Sequence, residues 1–238
     1  MIVALLPAYQ AEKTLATFLK QLPKNLFDEI ILVDDSSTDN TFEIAKKQSG
    51  IRLYKTPQNL GYGGTMKFGL KIALESGAHI IVEIHPDGEY LPDGILPALE
   101  KIKQGAKLVL GNRFSHTNPK GMYGWKVFAN KLLTWIDNSI LQTHFPDLHQ
   151  GFRVYTKDFL KHARFAHNSN DFTFTFEVIL QAIYHKFPIA VVPVTAIYKG
   201  RKRGVTTKNG AIYTIKSFWV LLLFILSRHK IIRSKRFL

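Results

Sequence analysis

The chain has 238 residues, 46% hydrophobic and 21% charged, which suits one sizeable α/β core and excludes a disordered chain. It contains no cysteine, so disulfides, thiolate metal sites and a cysteine nucleophile are excluded. Its 32 lysines and arginines against 18 acids give a net charge of +14, which points to a polyanionic partner: nucleic acid, an anionic membrane surface or phosphorylated substrates.

In chain order, the apolar run at 2–6 predicts a buried strand; it is too short, and lacks the basic leader, for a signal peptide. An amphipathic helix is expected over 11–21 and a strand over 29–33. Ser36, Ser37, Thr38 and Asp39 offer caps for a helix over 41–49, and Asp39 is read as such a cap. A short strand over 51–54, a helix over 64–76 and a strand over 79–84 follow, the last all apolar apart from Glu83. A helix over 92–104 precedes a strand over 107–110. This alternation implies a mainly parallel sheet with helices on both faces, whose ligands bind beyond the carboxyl ends of the strands.

Residues 115–145 are less regular. A helix over 125–141 is expected to turn Val127, Phe128, Leu132, Leu133 and Ile136 toward its apolar side. Strands over 151–156 and 189–198 flank a helix over 174–186. The expected organisation is one domain over 1–210 and a basic, apolar tail over 211–238. The apolar run at 218–226 is shorter than the roughly 20 residues of a bilayer-spanning helix. It is flanked by Lys216 and by Arg228, Lys230, Arg233, Lys235 and Arg236. It reads as an interfacial helix on an anionic leaflet, against the alternative of a core helix with a solvated basic end.

Two acidic clusters end predicted strands: Asp34-Asp35, and His85-Pro86-Asp87-Gly88-Glu89. Carboxylates gathered at one sheet edge repel one another, so something cationic or hydrogen-bond-donating belongs there. A divalent metal bridging a nucleoside diphosphate meets that need, and hard carboxylate oxygens suit Mg²⁺ or Mn²⁺.

These residues carry a resemblance. Pro7-Ala-Tyr9-Gln10, Val33-Asp-Asp35-Ser-Ser-Thr-Asp39, Asn59-Leu-Gly61-Tyr-Gly63-Gly64 and His85-Pro-Asp87-Gly-Glu89-Tyr-Leu-Pro92 stand in the order of a known series. Gly111-Asn-Arg113-Phe, Gly151-Phe-Arg153 and Val192-Pro193-Val continue it. The chain resembles, over about residues 1–208, the inverting family 2 glycosyltransferases of GT-A fold, which include dolichyl-phosphate mannose synthase and related polyprenyl-phosphate glycosyltransferases.

The resemblance implies a UDP- or GDP-sugar donor, Mn²⁺ or Mg²⁺, and a polyprenyl phosphate or glycan hydroxyl as acceptor. Pro7, Tyr9 and Asp35 would hold the nucleotide, with Gly63 and Lys67 beside it; a solvated helix lysine is the plainer account of Lys67. Asp87 would bind the metal with Glu89 and His85, while Glu89 and Arg113 would meet the donor sugar. Arg201, Arg203 and Lys208 would clamp the diphosphate, whose charge grows as it leaves. Asp147 stands where an acceptor-side base is expected, against a plain pairing with Arg153; a lipid phosphate acceptor needs no base. Glu177 would position the basic loop or form a salt bridge on its helix. The sequence departs from the pattern at His85, in place of an aspartate, at Ala11, in place of a glutamate, and by two extra residues between Pro193 and Gly204.

The expected location is cytoplasmic, peripheral at the cytoplasmic face of a membrane. Two rivals are a catalytically silent nucleotide-sugar-binding protein, suggested by His85, and a nucleic-acid-binding module, suggested by the charge. No helix-turn-helix, zinc-finger or RNP-like pattern supports the latter, and no nucleic-acid partner is expected.

Overall fold

The computed structural model describes residues 1–115, 119–198 and 207–237. Its frame is a single sheet of strands β1 (Ile2–Ala8), β2 (Glu29–Asp34), β3 (Arg52–Lys55), β4 (Ile80–Glu83), β5 (Leu108–Asn112), β6 (Arg153–Thr156) and β7 (Ile189–Pro193). The order is β3-β2-β1-β4-β6-β5-β7, and only β6 runs antiparallel to its neighbours. Strands β1, β2, β4 and β5 are short runs rich in Val, Ile and Leu, as expected where both faces are covered.

Alternation along β1 shows the layering. Val3 and Leu5 enter one apolar core, and Ala4, Leu6 and Ala8 the other. The first core is closed by α3 (Tyr62–Glu75), α6 (Lys157–His162), α7 (Thr173–Tyr184) and α8 (Thr207–Arg228), and takes in Leu141 from α5 (Gly124–Leu141). The second is closed by α1 (Leu15–Gln21), α2 (Thr41–Lys46) and α4 (Ile95–Lys103). The helices therefore lie on both faces of a mainly parallel sheet, as the alternation implied.

Several boundaries differ from the sequence expectation, each for a local reason. The helix expected from residue 11 begins at Leu15, because Ala11 and Glu12 give their N–H groups to Thr41 and Asp39 across the sheet edge. The last strand stops at Pro193. Leu91 N–H donates to the Thr195 carbonyl and Ile197 N–H to the Glu89 carbonyl, so the chain leaves the sheet to join residues 89–91. Asp39 caps as expected, its Oδ1 accepting from the Thr41 N–H at the start of α2.

Two corrections concern helix faces. In α5 the expected apolar side is not a core side: Val127 is buried, but Phe128 is 68% exposed and Leu132 is exposed too. Buried Thr134, Asp137 and Leu141 mark the inner face instead. At the C-terminus the helix is 22 residues, Thr207–Arg228, rather than the short run expected, and it is long and apolar enough to cross a membrane. The helix continues through Lys216 because that side chain pairs with Asp171. Val220, Leu221, Phe224 and, beyond the helix, Phe237 are buried in the first core beside Tyr184.

Candidate active site

The carboxyl ends of β1, β2 and β4 bring the first three motifs to one edge. At the end of β1, Gln10 takes a left-handed conformation (φ 49°) with its N–H on Ser37 Oγ. The turn leaves Tyr9 51% exposed, with Pro7 half-buried behind it. An uncovered aromatic face at the mouth of an α/β sheet suits stacking on a base.

Asp35 is buried, and both its oxygens serve the glycine-rich loop. Oδ1 accepts from Leu60 N–H at 2.8 Å and from Thr56 Oγ at 3.0 Å, and Oδ2 accepts from Gly61 N–H at 3.0 Å. Its role in the structure is to fix that loop beside the end of β1. Gly63 is buried as well. The space a Cβ would fill there holds the Ser169 carbonyl oxygen at 2.3 Å, so glycine is needed for packing against residues 169–171. Lys67 Nζ donates to the Asn168 carbonyl at 2.8 Å, and burial lowers its pKa. Both residues thus have structural partners in the segment 168–171, beside the nucleotide contacts expected of them.

The third motif follows β4. Gly88 adopts φ 78°, which turns the loop so that Asp87 Oδ1 accepts from Glu89 N–H at 2.9 Å. Burial first, and then the negative charge of Asp87, push the Glu89 carboxyl up to about 7. Asp87 and Glu89 thus form a partly desolvated acid pair that a cation would relieve. Asp87 and Glu89 also help line an open cavity of about 400 Å³ with Lys13, Thr17, Tyr90 and Tyr198.

His85 feels the charge of both Asp87 and Glu89, but its hydrogen bond goes to a third acid. Its Nε2 lies 3.2 Å from Oε1 of Glu83, which is fully buried at the end of β4. Glu83 also accepts from the hydroxyls of Tyr62 and Tyr155. Burial drives the Glu83 carboxyl up, but the His85 hydrogen bond and the Arg153 guanidinium outweigh it and hold it below the ordinary range. His85 is correspondingly held above the ordinary histidine value despite its own burial. Among the described residues, no three acids or histidines gather into a metal-holding cluster. The donor set that fits a hard divalent cation is therefore the Asp87–Glu89 pair, with His85 committed to Glu83 through one ring nitrogen.

The antiparallel insertion of β6 explains Arg153. Its register sets Arg153 opposite Glu83, so both side chains enter the same core. Arg153 is fully buried and none of its guanidinium nitrogens has a hydrogen-bond partner among the described residues; the Glu83 charge is its counterpart. Sequence reasoning gave Glu83 no role. The signal was there, in one acid within an otherwise apolar strand.

Asp147 pairs with Arg113, not Arg153. Arg113 Nε lies 2.8 Å from Asp147 Oδ2 and Nη2 3.1 Å from Oδ1, both residues being buried. Nη1 donates to the Tyr198 hydroxyl, and Nη2 also to Asn130 and the His149 carbonyl. With its carboxylate held in this fork, Asp147 anchors the loop before β6, and its partner is Arg113 where the pairing alternative had named Arg153. Glu177 is fully buried and lies 2.8 Å from Arg236, while Ser169 donates to it twice, so it ties the C-terminal residues to α7. Arg201 and Arg203 lie outside the described residues, as does the side chain of Lys208.

The sequence matches the profile described as Glycosyl transferase family 2 over residues 4–164. The chain belongs to glycosyl transferase family 2. It is 30% identical over 216 residues to a UDP-N-acetylglucosamine–dolichyl-phosphate N-acetylglucosaminyltransferase of Methanococcus voltae, covering 83% of this chain and 86% of that one. A polyprenol monophosphomannose synthase of Mycolicibacterium smegmatis is 24% identical, over 76% and 71% of the two chains. Among solved structures, glucosyl-3-phosphoglycerate synthase from Mycobacterium tuberculosis, in complex with Mn²⁺, UDP-glucose and phosphoglyceric acid, superposes with a TM-score of 0.70 at 16% identity. That match covers 98% of this chain and 81% of that one, and establishes the shared GT-A fold. The family 2 chain is thus a glycosyltransferase built on that fold.

Proposed function

We propose that this family 2 glycosyltransferase moves a sugar from a UDP- or GDP-sugar to a polyprenyl phosphate, with inversion at the anomeric carbon and a divalent metal. The observation that carries the reading is the convergence at one sheet edge of exposed Tyr9, the loop fixed by Asp35, and the Asp87–Glu89 acid pair. Tyr9 offers a stacking face for the base, and the loop forms the adjacent wall. Asp87 and Glu89 hold Mn²⁺ or Mg²⁺, which supplies charge neutralisation for the donor diphosphate. Arg201, Arg203 and Lys208 supply further positive charge for the departing diphosphate.

The committed Asp147 carboxylate favours a phosphate acceptor. A hydroxyl acceptor needs a base to take its proton, and the residue expected for that task is occupied by Arg113. A phosphate monoester oxygen is already anionic. It attacks the anomeric carbon opposite the leaving diphosphate, so one bond forms as the other breaks and the configuration inverts. The two named relatives, one a dolichyl-phosphate and the other a polyprenol transferase, support the same acceptor class. Such an enzyme works at the cytoplasmic face of a membrane.

The test is a transfer assay with UDP- and GDP-sugars, a short polyprenyl phosphate and Mn²⁺. One donor should yield glycosyl-phosphoprenol and free nucleoside diphosphate, and a chelator should stop the reaction. Transfer only to hydroxyl acceptors would remove the acceptor assignment. Donor binding without transfer to either class would establish a silent nucleotide-sugar-binding protein.

A further inference from the structure

All three tryptophans of the chain are solvent-facing, at 54% (Trp125), 66% (Trp135) and 58% (Trp219), although tryptophan is ordinarily well buried. They lie on two outward helical stripes. On α5, Trp125, Phe128, Leu132 and Trp135 follow the i, i+3, i+7, i+10 spacing of a single helix face, opposite the buried face of Val127, Thr134, Asp137 and Leu141. On α8, Ile215, Trp219 and Leu222 share a face at i, i+4, i+7, opposite buried Ser217, Val220, Leu221 and Phe224.

The two helices are joined. Leu141 of α5 and Val220, Leu221 and Phe224 of α8 enter the same core. Buried His149 joins them, its Nε2 lying 2.8 Å from Asp137 Oδ2 on α5 and its Nδ1 2.7 Å from the Tyr213 hydroxyl on α8. We infer that α5 and α8 together form a platform that docks onto an anionic lipid surface, with α8 lying in the plane of the interface rather than crossing the bilayer.

Charge selects this occupant. The one acid on α5, Asp137, points inward to His149. After Glu177 the chain has twelve lysines and arginines and no acid. Arg228, Lys230, Arg233 and Lys235 are exposed at the end of α8. A second copy seated on this face would set cations against cations, since a two-fold contact matches a surface with itself. Anionic headgroups complement the same cations, while the aromatic stripe enters the headgroup boundary. The in-plane orientation follows from what fixes α8: Val220, Leu221 and Phe224 are buried against the domain, Lys216 pairs with Asp171, and Arg236 pairs with Glu177. Crossing the bilayer would strip the helix from these partners.

The test uses the full chain without donor or acceptor, so its outcome is separate from the identity of the reaction. Vesicles of phosphatidylcholine alone, or mixed with phosphatidylglycerol, are added while tryptophan emission is followed. Only the anionic vesicles should shift the emission to the blue, salt should reverse the shift, and quenching should be strongest from lipids brominated near the headgroup. Phe128→Ser/Trp135→Ser on α5 and Ile215→Ser/Trp219→Ser on α8 should each weaken vesicle binding about tenfold. Thermal unfolding of both should stay unchanged, because the altered side chains are exposed. The inference fails if no vesicle binds, if either pair leaves binding unchanged, or if the same pairs instead abolish a dimer in sedimentation. Protein that resists alkaline extraction with α8 shielded from protease would show a spanning helix and overturn the in-plane arrangement.

Discussion

His85 Nε2 stands 3.2 Å from Glu83 Oε1, and Arg153 faces that same glutamate across the β4–β6 register. One buried carboxylate therefore orients the first residue of the acidic motif and balances a buried guanidinium. Replacing it with the isosteric amide, Glu83→Gln, leaves Arg153 without its counter-charge. A loss of about 3–5 kcal/mol in urea unfolding is expected, the cost of breaking a buried pair from one side. The amide oxygen can still accept from His85, so Mn²⁺ affinity at the Asp87–Glu89 pair, measured by calorimetry on the folded fraction, should change little.

Glu89 titrates near neutrality, its carboxyl pushed up to about 7 by burial and by Asp87. A raised acid binds its proton more tightly in the folded state than in the unfolded one. The metal-free protein should therefore lose stability as pH rises from the ordinary carboxylate range to about 7, and change little from this group above it. A divalent cation requires the ionised form. Mn²⁺ affinity should accordingly climb by up to about tenfold per pH unit below that point and then level off. Asp87→Asn removes the repulsion and should move this titration to lower pH, while reducing turnover by roughly 100-fold or more. Calorimetry across the range, with and without the substitution, checks each part.

Asp147→Asn separates an anchor from a base. The substitution leaves buried Arg113 without its bidentate partner, so a stability loss of about 3 kcal/mol or more is expected in chemical denaturation. Wild-type turnover should show no pH limb that disappears in the variant. A limb that vanished with Asp147 while stability held would restore the base.

Tyr9→Ala tests the nucleotide site without touching the core, since the ring is exposed. The melting temperature should stay unchanged. UDP or GDP affinity by calorimetry should fall about fivefold to tenfold, in keeping with the loss of one stacking contact of roughly 1 kcal/mol. An unchanged affinity would place the base elsewhere along the edge.

The sheet was legible because its central strands are compact apolar runs, and runs such as Ile30–Val33 have few other fates in a short α/β chain. The edge that carries the site was legible too, since Asp35 and Asp87 follow such runs directly. What stayed hidden depends on distance along the chain. Nothing local indicates that Asp147 meets Arg113, 34 residues away, or that Gly63 must clear the backbone of Ser169. The periodicity of α5 showed that a stripe exists but not which way it faces. An inward and an outward apolar stripe read the same until Asp137 and Thr134 are seen on the buried side. The tail helix was cut short for a similar reason: Lys216 reads as a solvated end until Asp171 is brought to it.

The pairing of residues 89–91 with 195–197 reaches beyond secondary structure. Glu89 accepts from Ile197 through its carbonyl, and Leu91 donates to Thr195 through its N–H. The carboxylate loop and the chain that leads into the basic residues 199–206 are thereby linked parts of one lever. A change that displaces either of these two segments should therefore be felt by the other.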